Sequence, residues 1–396
     1  MATELTLQIT TGGEVPAFGR EVFIQQLWET LKTQGFQLLG ERRTGKTTVV
    51  KAMNREPRAG FQAIYLDCEG LKTPVEFVEA VAAKLEEYLP QGRRAANWLR
   101  DAWKILGEVE IKGIIKIPAT QTGSWKLFLE RTLQALEENL PDGGRFIFFL
   151  DEVPLLLSNI VGDKTQGEGV AMELIDTLRA LRQRESTPVR MVFTGSIGLH
   201  HVLTSLREAG HRNDPVNDLD PITLPTLTQE KATQLAQALA ASLQLPCEQA
   251  DAAYIAEQTD GLPFYIQWVV KRLGERRLPV TQEAVDTVVG KLLTDPQDPM
   301  HLRYYEERIE SYYGVRAPLA FAALDVIALA ESPVLFRELT NTVRHQEPEA
   351  KDRDLRIALD WLQQDHYLLV GNGAFWFQHP LIRRAWCILR YLEGQA

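Results

Sequence analysis

The chain alternates short, mostly apolar runs with longer stretches in which apolar residues recur every three or four positions. Four runs have the length of buried strands: FQLL within GFQLLG at 35–40, AIYLDC at 63–68, FIFFL at 146–150 and VRMVFT at 189–194. Five apolar residues in succession, as in FIFFL, mark a strand covered on both faces, the usual state of a parallel sheet whose crossovers are helices. Helical patterns lie between these runs, among them TTVVKAM after the first and DTLRALRQ before the fourth, and PITLPTL at 221–227 offers one last strand. This alternation predicts an α/β core over residues 1–227, a parallel sheet with helices on both faces.

The pattern changes after that. Thr228 can cap a helix through QEKATQLAQALA and Thr281 another through QEAVDTVVG, with AAYIAEQ and PFYIQWVVKRL between them. These four predict a small helical lid over 228–292. TDPQDPM at 294–300 then reads as a linker. From 300 to 396 the expected order is helix (LAFAALDVIALA), helix (LFRELTNTV), helix (RDLRIALDWLQQ), strand (YLLV), turn (GNG), strand (AFWFQ) and a closing helix (HPLIRRAWCILRYL). That is the order of a winged helix. Within the core, residues 91–125 read as an insertion, in which GEVEIKGIIKI alternates about Gly113 like a projecting hairpin.

Composition narrows the function classes. With 396 residues, 45% of them hydrophobic and 24% charged, the chain is of ordinary globular make-up. No apolar run approaches the ~18 residues of a membrane span. The opening MATELTLQIT has an acid where a signal peptide has a base, so a cytoplasmic protein with no membrane partner is expected. A net charge of −10 disfavours a surface built throughout to hold nucleic acid. Cys68, Cys247 and Cys387 are far apart with no paired spacing, which suits reduced thiols rather than a metal centre. His200 and His201 are adjacent, so on a helix they are expected to point in different directions.

Chemistry concentrates in two places. GERRTGKTT at 40–48 fits GxxxxGK[ST] through Gly40, Gly45, Lys46 and Thr47, and it lies between a strand and a helix. Glycines let successive backbone N–H groups face an anion while the following helix aims its positive end at the same point. Lys46 would reach the outer phosphates of ATP, and Thr47 would ligate Mg2+. A partner stretch is then required, a buried strand ending in a carboxylate, and RFIFFLDE supplies it. Asp151 would complete the metal shell, and Glu152 would polarise the attacking water. At the end of the VRMVFT strand, Thr194 or Ser196 could hydrogen-bond the γ-phosphate or that water, or could cap a helix.

These stretches resemble the ASCE branch of P-loop ATPases, and within it the archaeal-ATPase-like and STAND-type relatives of AAA+ proteins. FGRE at 18–21 is similar to the entry that in such proteins lies near the adenine, which implicates Gly19 and Arg20. The loop with paired arginines resembles that group's version of the motif and implicates Arg42, Arg43, Thr44 and Thr48 beside Gly40, Gly45, Lys46 and Thr47. TDGLP at 259–263 resembles the lid turn and implicates Gly261 and Pro263. The resemblance implies an ATPase, slow or regulated, using ATP and Mg2+. A ring-forming member would place an arginine finger among Arg179, Arg182, Arg184 and Arg190.

Two functions follow as expectations. In the first, Mg-ATP between core and lid switches the packing of the winged helix, which engages a protein partner or another copy. In the second, an oligomeric ATPase loads onto DNA through the winged helix. The third of its helices carries four aspartates (352, 354, 360, 365) against Arg353 and Arg356, and the wing GNGAFWF has no base. DNA contact would therefore fall to Arg383, Arg384 and Arg390. A non-hydrolysing nucleotide-binding scaffold is a third reading.

Overall fold

The computed structural model describes residues 16–88, 124–162 and 167–392. The expected hairpin at 107–117 and the first fifteen residues lie outside these. Two compact units account for the chain. Among the described residues, one holds Arg20–Leu39 and those between Lys46 and Thr223, and the other holds Gly40–Gly45, those from Leu224 to 392, and 16–19.

In the first unit the described elements run α1 (Glu21–Leu31), β1 (Phe36–Leu39), α2 (Lys46–Arg55), β2 (Phe61–Asp67), α3 (Pro74–Tyr88), α4 (Ser124–Asn139), β3 (Arg145–Asp151), α5 (Val153–Val161), α6 (Gly167–Arg182), β4 (Val189–Thr194), α7 (Leu199–Glu208) and β5 (Asp220–Thr223). All five strands pair in parallel in the order β2-β3-β4-β1-β5. Alternation along β3 explains the layers. Phe146, Phe148 and Leu150 join Ile64 and Leu66 in a core with α3 to α7. Phe149, on the opposite face, meets Trp28 of α1 edge-on at 6.5 Å. Asp151 shares that second face, as does Tyr65, which stands opposite Phe149 in the β2–β3 register. The apolar run therefore ends by delivering a carboxylate to the face on which α2 packs.

The second unit contains α8 (Gln229–Ser242), α9 (Gln249–Gln258), α10 (Pro263–Glu275), α11 (Gln282–Leu293), α12 (Tyr304–Tyr312), α13 (Ala317–Leu329), β6 (Val334–Leu335), α14 (Phe336–Gln346), α15 (Asp352–Gln364), β7 (Leu368–Gly371), β8 (Ala374–Phe377) and α16 (Pro380–Leu389). The Thr228 and Thr281 hydroxyls accept from the N–H groups of Lys231 and Ala284, the caps expected of them. Asn372 and Gly373 both take positive φ (52° and 75°), as a two-residue turn between β7 and β8 requires. The short β6 adds a third strand in the order β6-β8-β7.

The expected linker at 294–300 is instead an ordered turn. Asp298 accepts from the N–H groups of Leu302 (2.7 Å) and Arg303 (2.9 Å), and Met300 is buried in a core running continuously from Leu227 to Cys387. A buried methionine and a carboxylate cap anchor the turn where it enters α12, so composition alone misjudged it. Among the described residues no helix is long and apolar enough to cross a membrane.

Candidate functional site

After β1, positive φ at Gly40 (138°), Arg43 (71°) and Gly45 (100°) folds the chain into a loop that ends where Lys46 begins α2. A Cβ at Gly40 would stand 2.9 Å from the Leu224 carbonyl oxygen, so the backbone there passes too close for any side chain. Thr44 closes the loop, its N–H (3.4 Å) and hydroxyl (2.7 Å) both donating to the Glu41 carbonyl. Lys46 is buried although charged. The N–H groups of the first turn of α2, which have no acceptor within the helix, and its positive dipole end lie at the loop's exit.

Within the second unit the loop is held by aromatic side chains. The Arg42 guanidinium lies 3.8 Å from the ring centre of Tyr304, and that of Arg43 lies 4.1 Å from Phe264. Glu41, 2% exposed, accepts from the Arg42 N–H at 2.6 Å and from the Tyr305 hydroxyl at 3.2 Å. Burial, with Arg42 beside it, holds the Arg43 guanidinium below its ordinary range. Tyr305 extends the connection. Its ring meets Tyr367 edge-on at 5.5 Å, and the Tyr367 hydroxyl donates to the Tyr305 carbonyl at 2.7 Å. Beside Tyr367, Arg308 pairs with the fully buried Asp365, which also accepts from Tyr313 at 2.8 Å. Burial opposes the Arg308 charge, but Asp365 and the surrounding tyrosine hydroxyls outweigh it and the guanidinium is held above its ordinary range.

In the first unit, one carboxylate ends β3 and a second follows it. Asp151 is 2% exposed and accepts three hydroxyls: Thr47 from α2 (2.8 Å) and Tyr65 from β2 (2.9 Å) on Oδ2, and Thr194 from β4 on Oδ1. Glu152 has left-handed backbone (φ 59°, ψ 34°) at the start of α5, a conformation that costs a glutamate of order 1 kcal/mol. Its Oε2 accepts from the N–H (2.8 Å) and hydroxyl (2.9 Å) of Ser196. Burial pushes the Glu152 carboxyl up, the Ser196 N–H opposes this, and the neighbouring Asp151 charge adds to it. Thr194 and Ser196 thus serve different acids, an assignment their spacing alone left open.

The other expected residues lie as follows. Gly19 has φ 69°, and a Cβ there would be 3.2 Å from Lys231. Arg20 is buried, which brings its guanidinium down to about 10. Gly261 (φ 65°) ends α9 by donating to the Ala256 carbonyl at 3.0 Å, a Cβ there would be 2.5 Å from the Leu227 carbonyl oxygen, and Pro263 starts α10. Thr48 is in the first turn of α2, half-buried. Of the candidate finger arginines, Arg182 forms a two-point pair with Asp218 (2.8 and 2.9 Å), and Arg190 donates to the carbonyls of Thr187 and Val189. His200 and His201 do not diverge as expected; their rings lie 4.1 Å apart.

Sequence reasoning missed Tyr65, Glu41 and Tyr305. Tyr65 could have been found from β2 alternation, which puts it on the face of Asp67. Tyr305 is separated from the loop by 264 positions, and no periodicity reports such a contact.

Residues 31–203 match the model of a family described as an AAA domain. A Walker-type ATPase of Pyrococcus abyssi superposes with a TM-score of 0.67 at 15% identity, covering 96% of this chain and 99% of that one. The ORC2 protein of Aeropyrum pernix, solved in ADPNP and ADP complexes, superposes at 0.55 with 10% identity, over 97% and 98%. No curated protein matches the sequence. At these identities the likeness is one of fold, and the fold is that of the P-loop AAA+ ATPases.

Proposed function

We propose that the chain binds and hydrolyses ATP with Mg2+ and uses the cycle to switch the packing of its C-terminal unit. The observation that carries the hydrolytic half is the convergence of Thr47, Tyr65 and Thr194 on Asp151, with Glu152 next to it and held by Ser196. The donor set suits a hard divalent cation, since Thr47 and Asp151 offer oxygen from two elements already in hydrogen-bond contact. Magnesium held by Thr47 and Asp151 would supply positive charge that offsets the charge developing in phosphoryl transfer. The chain's own residues do the rest. The loop N–H groups and the α2 dipole hold the phosphates, and Lys46 neutralises the outer ones. Glu152, its carboxyl raised by burial, accepts the proton of the attacking water. Ser196 aims that carboxyl through its N–H and hydroxyl, both on Oε2. Gly19, Arg20, Gly261 and Pro263 are the proposed contacts to the rest of the nucleotide.

The switching half is supported by the grip on Glu41, Arg42 and Arg43. A loop that changes its contacts when phosphate arrives changes what Phe264, Tyr304 and Tyr305 pack against. A ligand biases two arrangements only through such unequal contacts. The C-terminal elements have the order of a winged helix, and we propose that this module docks protein or another copy of the chain. The arginines required for the DNA-loading alternative are engaged internally. Arg383 donates to the carbonyls of Ala328 and Ala330, Arg384 to Gln258, and Arg390 to both oxygens of Asp325.

The test is ATP hydrolysis with and without Mg2+ by the wild type, Lys46→Ala and Glu152→Gln, alongside nucleotide binding. Expected are loss of binding in the first variant and retained binding without turnover in the second. Turnover that survives in Glu152→Gln would overturn the assignment of the base, and binding unchanged in Lys46→Ala would overturn the site.

A further inference from the structure

Asp151 accepts three hydroxyls, one of them from a strand that carries neither the phosphate loop nor the acidic motif. Tyr65 donates its hydroxyl to Oδ2 at 2.9 Å, the same oxygen that Thr47 reaches at 2.8 Å, while Thr194 takes Oδ1. The three donors come from α2, β2 and β4, and the carboxylate from β3. Tilting the carboxylate about its Cβ–Cγ bond would strain all three bonds together, so the donors fix its plane.

The position of Tyr65 follows from strand geometry. It pairs with Phe149, two residues before the Asp67–Asp151 pair, so its Cβ is on the face of Asp151 and one diagonal step away. That diagonal is within reach of a tyrosine and beyond that of a serine or threonine. The Lys51 ammonium of α2 lies 4.9 Å from the ring centre, which fixes the ring from the helix side. Phenylalanine would fill this space equally well. The hydroxyl, donating to Asp151, is the one part of the side chain that packing does not explain.

We propose that Tyr65 is a positioning residue that orients the Asp151 carboxylate toward its cation from the neighbouring strand. The inference rests on the nucleotide and magnesium reading above and extends it to a residue outside the phosphate loop and the acidic strand.

The test is the magnesium dependence of binding, with no turnover involved. A fluorescent ADP analogue is titrated against wild type, Tyr65→Phe, Asp151→Asn and the double variant, in EDTA and in Mg2+, with thermal melts to establish that each is folded. In EDTA, Tyr65→Phe should bind as the wild type does. The affinity gained on adding Mg2+ should fall roughly tenfold, the lower end of what outer partners of metal ligands contribute. In the Asp151→Asn background the same substitution should change nothing further. An unchanged gain in Tyr65→Phe, or an equal loss in EDTA and Mg2+, would make Tyr65 a packing residue and overturn the inference alone. A wild type that binds no nucleotide in either condition would remove the underlying reading and this inference with it.

Discussion

Replacing Tyr305 by phenylalanine removes one oxygen and keeps the ring against Tyr304 and Tyr367. The hydroxyl lost is fully buried; it hydrogen-bonds with Tyr265 and donates to the carboxylate of Glu41, itself 2% exposed, and the bond to the charged group dominates the cost. Hydrogen bonds to charged groups contribute about 1.5–3 kcal/mol, and no water can replace the donor at this depth. Glu41 keeps its 2.6 Å bond from the Arg42 N–H, so the lower half of that range applies, about 2 kcal/mol. With a urea slope of about 2 kcal/mol per molar, the midpoint of the C-terminal unit should fall by roughly 1 M. The functional consequence is sharper. ADP should raise the midpoint of the wild type, and in Tyr305→Phe that increment should shrink, because the loop keeps its Arg42–Tyr304 contact with α12 but loses the hydrogen bond through Glu41. Urea titrations with and without ADP measure both quantities. A shift below about 0.5 kcal/mol together with an undiminished ADP increment would refute the coupling.

Asp365→Asn should cost about 3–5 kcal/mol, since it leaves the buried Arg308 without its counter-ion; equilibrium unfolding measures this, and a cost below 1 kcal/mol would mean the guanidinium finds another acceptor. Arg383→Ala should destabilise by about 1–2 kcal/mol through the uncapped carbonyls of α13 and leave any DNA affinity unchanged, which a salt titration of binding would check. Asp260 and His379, 4.0 Å apart, should oppose each other in pH dependence. Burial raises Asp260 to about 6, against the pull of the Leu381 N–H and Arg384, so its protonated form favours the fold and that contribution is lost as pH rises from about 4 through 6. Burial lowers His379 to about 4, so its contribution instead appears as pH rises from about 4 to 6.5. The wild type should be nearly flat over that window, Asp260→Asn should gain stability with pH, and His379→Gln should lose it. Parallel profiles in all three would refute the assignment.

The strands, most described helices and both chemical motifs were legible because each is encoded within about ten consecutive residues. Five apolar residues at 146–150 require burial on both faces, and Asp151 follows them whatever the rest of the chain does. The glycines of the loop report a backbone requirement that is local by nature, and so do Thr228 and Thr281 as caps and Asn372-Gly373 as a turn. Short-range signals failed at 294–300, where proline and aspartate suggested a linker but a buried Met300 and the Asp298 cap make an ordered turn.

Contacts between residues far apart in sequence could not be read in this way. That Thr194 serves Asp151 while Ser196 serves Glu152 depends on the β3–β4 register. That Tyr65 reaches Asp151 depends on β2 lying beside β3, and that Tyr305 meets Glu41 depends on how α12 packs in its unit. The sequence by itself determined which side chains have the chemistry, because acidity, length and backbone freedom belong to a residue. Which of them meet was settled only when strands chose neighbours and helices chose faces, since a hydrogen bond tolerates a few tenths of an ångström and no residue carries that distance alone.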